Sequence, residues 1–132
     1  MKPLAAGNWK MNGQRASVSE INALKDRLAG TTPGCDVMIC PPATLIATLA
    51  DAAEGSLIQI GGQDCHSAVS GAHTGDISAA MLHDAGATAV IVGHSERRAD
   101  HGETSETVKA KAQAAISAGL VAIVCLGETL AE

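Results

Sequence analysis

Short runs of β-branched and other apolar residues alternate along this chain with longer segments whose apolar residues recur every three or four positions. The runs are the pattern of buried strands, and the longer segments that of amphipathic helices. Leu4-Ala5-Ala6-Gly7 reads as a first strand. Ser17-Val18-Ser19-Glu20 reads as a capping box, after which Val18, Ile21, Leu24 and Leu28 keep helical spacing up to a stop at Gly30. Asp36 to Cys40 is the second strand, ended by Pro41-Pro42, and Thr44 is expected to cap a helix through Leu45, Leu49 and Ala52 that stops at Gly55. Leu57 to Gly61 is the third strand, followed by a polar loop from Gln63 to about Gly75 and a short helix from Ser78 to Asp84. Ala87 to Val92 is the fourth strand, Thr104 or Ser105 caps an alanine-rich helix to Ala118, and Leu120 to Leu126 is the fifth strand. Glu128 to Glu132 read as the start of a further helix.

Strand followed by helix, repeated, predicts an α/β fold with a parallel sheet and right-handed crossovers. No linker or low-complexity segment divides the 132 residues, so one domain is expected. Hydrophobic residues are 46% of the chain, yet Trp9 is the only aromatic, so the core is built from Ala, Val, Ile, Leu and Met. A net charge of -5 without a Lys/Arg run argues against nucleic acid as partner. No apolar stretch approaches the roughly 20 residues that span a bilayer, and the first strand follows Met1-Lys2-Pro3 with no room for a signal peptide, so a cytoplasmic location without membrane attachment is expected. The cysteines, Cys35, Cys40, Cys65 and Cys125, form no C-x-x-C pair. Cys40 and Cys125 read as small buried hydrophobes, and no disulfide, redox centre, metal or cofactor is expected. Cys65-His66 is too weak a pair to make a metal site.

The most informative stretch is Val90-Ile91-Val92-Gly93-His94-Ser95-Glu96-Arg97-Arg98, a buried strand that breaks into glycine, histidine and charge. Ligands in α/β proteins bind at the carboxyl ends of strands. His94 stands at such an end with a turn starting at Ser95, and a helix N-terminus aimed at an imidazole disfavours its cation. That makes His94 a candidate neutral hydrogen-bond donor; read locally, it is equally a turn residue. Lys10 ends the first strand, where an ammonium could hold a phosphate or a developing oxyanion. Asn8 could donate its amide to a substrate oxygen, or simply close an Asx turn. The absence of G-x-G-x-x-G after the first strand weighs against a small doubly wound phosphate-binding protein.

Three segments in order carry a family resemblance: Gly7-Asn8-Trp9-Lys10-Met11-Asn12, Val90 to Arg98, and Cys125-Leu126-Gly127-Glu128-Thr129-Leu130. With Cys40-Pro41-Pro42 and Thr74-Gly75-Asp76-Ile77-Ser78, the chain resembles the amino-terminal portion of triosephosphate isomerase. The family's barrels run to about 250 residues. The resemblance therefore implies a partial TIM barrel: four βα units plus a fifth strand over residues 1–132, with the later units absent. It implies that Asn8 and Lys10 bind substrate, that Lys10 and His94 are catalytic, and that Ser95 and Glu96 support them. Glu96, beside Arg97 and Arg98, is also readable as part of a structural salt-bridge cluster. The implied reaction interconverts dihydroxyacetone phosphate and glyceraldehyde 3-phosphate, a step of glycolysis and gluconeogenesis, and the family is a standard example of a neutral histidine paired with a glutamate base.

In the family that base follows a sixth strand, and the main phosphate-gripping loops come later still. None of these segments is in the sequence, and no other carboxylate stands in a motif suited to the role. The resemblance thus implies a chain that binds triose phosphate weakly and is inactive or nearly so alone. The family's dimer loop maps onto Thr74 and Gly75, but His73 replaces a usual aromatic and Asp64 a frequent asparagine. A second reading is a non-catalytic half-barrel module that self-associates through bare strand edges at Leu4–Gly7 and 121–126, helped by a wet, apolar inner face.

Overall fold

The structure, a computed structural model, describes residues 1–127, so the expected helix from Glu128 lies outside the described residues. Five parallel strands form one sheet in the order β1 (Leu4–Asn8), β2 (Asp36–Cys40), β3 (Ile58–Gly62), β4 (Ala89–Val92) and β5 (Val121–Val124). Each strand pairs with the next in sequence, the order of a βα barrel and not of a doubly wound sheet. Between them lie α1 (Val18–Leu28), α2 (Ile46–Ala53), α3 (Ala79–Asp84), α4 (Ser95–His101) and α5 (Ser105–Ser117). The whole is a curled half-barrel, the expected partial TIM barrel.

Both faces of the central strands are apolar because both are covered. Ile39, Ile58, Ile60, Val90 and Val92 point outward and pack with Ile21 of α1, Leu49 of α2 and Val108 of α5. Met38, Cys40, Ala89 and Ile91 point inward and form a second buried cluster with Ile123 and Cys125. The expected wet inner face is therefore corrected for β2 and β4, whose inward side chains are buried. The reason is Gly61 on β3, where an added Cβ would lie 2.9 Å from Cys40 Sγ and 3.0 Å from Met38 Sδ. A glycine in the middle strand lets its neighbours' side chains close over it.

Exposed apolar surface remains at the two edges instead. Leu4 on β1 is 43% exposed, and Val121 and Val124 on β5 are 64% and 45% exposed. Among the described residues, no helix is long and apolar enough to cross a membrane.

Two helix starts differ from the sequence reading. Ser17 is itself helical (φ -68°, ψ -7°) inside a 3-10 turn over Arg15–Ser17, and its hydroxyl accepts from the Gln14 N–H at 3.0 Å instead of capping α1. Thr44 lies inside another 3-10 turn, Ala43–Leu45, set up by the extended backbone of Pro42. In both cases a tight turn precedes the helix and moves the true start upstream. Of Thr104 and Ser105 it is Thr104 that caps α5, accepting from Thr107 N–H at 3.2 Å, and Ser78 caps α3, accepting from Met81 N–H at 3.1 Å. α4 is an addition: the charged stretch after His94 makes a helix of its own.

Candidate active site

An open cleft of about 510 Å³ lies at the carboxyl ends of the strands, lined by Asn8, Lys10, Gln63, Gly75, His94 and Glu96 among others. β1 delivers Asn8 at its last position. The Asn8 side-chain oxygen accepts the Lys10 N–H at 2.9 Å, an Asx turn that lifts the chain off the sheet. Lys10 then adopts φ +55°, the only non-glycine with positive φ among the described residues. Such a conformation costs a side-chain-bearing residue free energy and marks a position held by its surroundings. Gln63, just past β3, does the holding: its amide donates to Lys10 O at 2.8 Å and to Cys40 O at 2.9 Å. Sequence reasoning missed Gln63, because nothing in a polar loop announces that one amide will tie the ends of β1 and β2 together.

β4 delivers His94. Gly93 makes the exit from the strand at φ +69°, and a Cβ there would come within 2.7 Å of Val108 and 2.9 Å of Arg98. His94 is the N-cap of α4, and its Nδ1 accepts the Glu96 N–H at 3.1 Å. That bond puts a lone pair on Nδ1, so the proton of the neutral ring sits on Nε2. The imidazole is thereby a donor at Nε2.

Glu96 joins the two. Its Oε1 lies 2.6 Å from Lys10 Nζ, while Oε2 lies 3.6 Å from His94 Nδ1. The second distance is an ion pair only for a charged ring; the directed N–H bond to Nδ1 makes Lys10 the partner that matters. The hydrogen bond from Lys10 holds the Glu96 carboxyl below its ordinary value, helped by the charge of that ammonium.

Beneath the cleft, Asp64, Arg97, Glu103 and Lys111 close a ring of alternating charge. Arg97 Nε lies 3.1 Å from Asp64 Oδ2 and 2.5 Å from Glu103 Oε2, and Lys111 Nζ lies 2.9 Å from Asp64 Oδ1 and 3.1 Å from Glu103 Oε1. Burial of Glu103 opposes its ionisation, but Lys111 and then Arg97 outweigh it and hold the carboxyl below its ordinary value. The aspartate at 64 is what completes the ring with two anions for two cations. The ring ties α4 to the end of β3 and to α5, and so fixes the segment that carries His94 and Glu96. Arg98 adds a clamp from α4 to the ends of β4 and β5, donating to Gly93 O at 2.8 Å and Cys125 O at 2.9 Å. Neither arrangement is legible from spacing, since the partners come from four separate elements.

The structure thus brings Asn8, Lys10, His94 and Glu96 to one cleft, with Gly75 also on its wall. Ser95 is the exposed first residue of α4, and Thr74 stands exposed in the turn beside Gly75. Of the carboxylates in the cleft, Asp64 and Glu96 are engaged by cations, and Asp76 and Asp100 are exposed.

A family model described as triosephosphate isomerase matches residues 3–132. This chain belongs to the triosephosphate isomerase family. It is 63% identical over 132 residues to a triosephosphate isomerase of Afipia carboxidovorans, covering 100% of this chain and 53% of the relative. A triosephosphate isomerase of Bradyrhizobium diazoefficiens is 58% identical, with coverage of 100% and 53%. A crystal structure of triosephosphate isomerase from Bartonella henselae superposes with a TM-score of 0.93 at 48% identity, covering 100% of this chain and 54% of that one. The chain spans about half the length of the triosephosphate isomerases it matches.

Proposed function

We propose that this chain carries the electrophilic half of a triosephosphate isomerase site and that residues 1–132 alone do not turn substrate over. The observation that supports it is the Lys10–Glu96–His94 cluster, with Lys10 Nζ 2.6 Å from Glu96 Oε1 and His94 Nδ1 engaged by a backbone N–H. An ammonium and an imidazole Nε2–H at one cleft suit an enediolate, whose two oxygens gain negative charge as a proton leaves carbon. In this reading Asn8 and Lys10 bind dihydroxyacetone phosphate or glyceraldehyde 3-phosphate. His94 donates to the oxygen being polarised, and Glu96 orients Lys10.

The proton on carbon needs a base, and the carboxylates of the cleft do not supply one that is both buried and unpaired. Losing a positioned base costs about 10²–10⁴-fold. The family's own base and phosphate-gripping loops are expected beyond the fifth strand, so we read residues 1–132 as the amino-terminal part of one barrel domain. The substrate is held weakly, with no metal or cofactor, in the cytoplasm.

Titration of the chain with dihydroxyacetone phosphate, followed by NMR, tests this. The expected result is weak, millimolar-range binding with shifts at Asn8, Lys10 and His94, lost in Lys10→Met. Micromolar affinity, or shifts confined to other residues, contradicts it.

The exposed apolar edges favour a second property, self-association. We read the open sides of β1 and β5 as the contact surfaces, with the Thr74–Gly75 loop as the family-type alternative.

A further inference from the structure

The loop between β3 and α3 holds a cluster that the isomerase reading does not use. His66, His73 and Asp76 each offer a ligand atom, and these atoms all lie within 4.8 Å of one another. We propose that these three side chains form a binding site for a divalent transition metal of the zinc class. The sequence reading expected no metal, because it saw only Cys65-His66; the partners of His66 come from the far end of the loop.

The backbone brings them together before any ion arrives. His66 forms a parallel bridge with Ser78, its N–H donating to Ile77 O at 2.8 Å, which closes the base of the loop. The Asp76 N–H donates to His73 O at 3.0 Å, a turn that sets both side chains on one side. The two imidazoles stack with centroids 4.0 Å apart. Gly71, at φ +142°, leaves room beside His73: a Cβ there would lie 3.2 Å from Nε2.

Metal bonds of about 2.0–2.1 Å in a tetrahedron place donors about 3.3 Å apart. The donors are near that spacing, but stacked imidazoles carry their in-plane lone pairs side by side, so at least one ring must turn out of the stack to aim at a shared ion. His66 Nδ1 accepts the Ala68 N–H at 2.9 Å, so its lone pair is already on that nitrogen. Ligation exchanges one neutral hydrogen bond for a metal bond. Two imidazoles and a carboxylate with a fourth position open to water suit Zn²⁺, and Co²⁺ or Ni²⁺ as substitutes. They do not suit Ca²⁺ or Mg²⁺, which take oxygen donors. A bound ion would cross-link the loop on either side of Thr74 and Gly75 and hold its tip in one conformation.

Calorimetric titration of the full 132-residue chain with Zn²⁺, under reducing conditions near neutral pH, is the test. Saturable one-to-one binding is expected. His73→Phe and Asp76→Asn should each weaken it by on the order of 100-fold or more, since even an outer-shell partner is worth about 10–100-fold. His83→Gln and Cys35→Ser, which remove donors outside the cluster, should leave the affinity unchanged. The unsubstituted chain with Co²⁺ provides an independent readout: a four-coordinate visible spectrum without a thiolate band. No saturable Zn²⁺ binding, an affinity untouched by His73→Phe and Asp76→Asn, or a thiolate band overturns the site.

Discussion

The direction of one hydrogen bond decides what His94 can offer a ligand. With Nδ1 accepting the Glu96 N–H, the ring has its proton on Nε2 whenever it is neutral. Nitrogen-15 NMR of the imidazole should show a lone-pair nitrogen at δ1 and a protonated one at ε2; the opposite tautomer would remove the donor on which the reading depends. Lys10 makes a second residue-scale prediction. At φ +55° a glycine is more comfortable than any L-residue, so Lys10→Gly should be about 1 kcal/mol more stable to urea than Lys10→Ala, while both lose phosphate binding. Equal stability would mean that the backbone there is not held as described. Burial raises the thiols of Cys40 and Cys65 from 9.0 to about 11. At mildly alkaline pH their thiolate fraction falls by about two orders of magnitude, and both should resist thiol reagents until the chain unfolds. Lys10 and His94 were legible as candidates because each stands where an apolar run breaks into polar residues. Gln63 was not, since its acceptors lie 53 and 23 positions away.

Elements were read most reliably where a single local signal decided them. Ser78 and Thr104 cap their helices because nothing upstream competes, whereas Ser17 and Thr44 were drawn into 3-10 turns that begin earlier. Only the start of α4 at Ser95 is legible, because its seven residues carry charge rather than an apolar stripe; Arg97 finds its partners just past β3, at Asp64, and just before α5, at Glu103. Those partners set the element-scale prediction. Glu103 has a side chain only 5% exposed and balances Arg97 and Lys111. Glu103→Gln leaves two cations with one anion and should cost about 3–5 kcal/mol at neutral pH. Because the folded carboxyl titrates below its unfolded value, this stabilisation is complete above the unfolded value and disappears as pH falls through the folded one. Urea unfolding of both proteins across the acid range should show the gap narrowing with acidity; a gap independent of pH would assign the loss to packing alone.

At the scale of the molecule, alternation of strand and helix was enough to foresee the parallel sheet, while its curled, sequential order was implied by the family resemblance. The wet inner face expected from an open arc did not account for Gly61, over which Met38 and Cys40 close. What remains open is the pair of edges. A charge on an edge strand is a common protection against pairing, so Val121→Lys, at the exposed start of β5, should shift light scattering toward monomer more than Thr74→Ala does. A larger effect from Thr74→Ala would place the contact in the loop. On the proposed function, these residues polarise a triose phosphate without a base to enolise it. The direct measurement is a coupled isomerase assay of the purified chain beside its Lys10→Met variant. The account predicts the same rate for both, equal to that of buffer. A rate for the unsubstituted chain clearly above Lys10→Met would contradict it, since a base would then be at work within these residues.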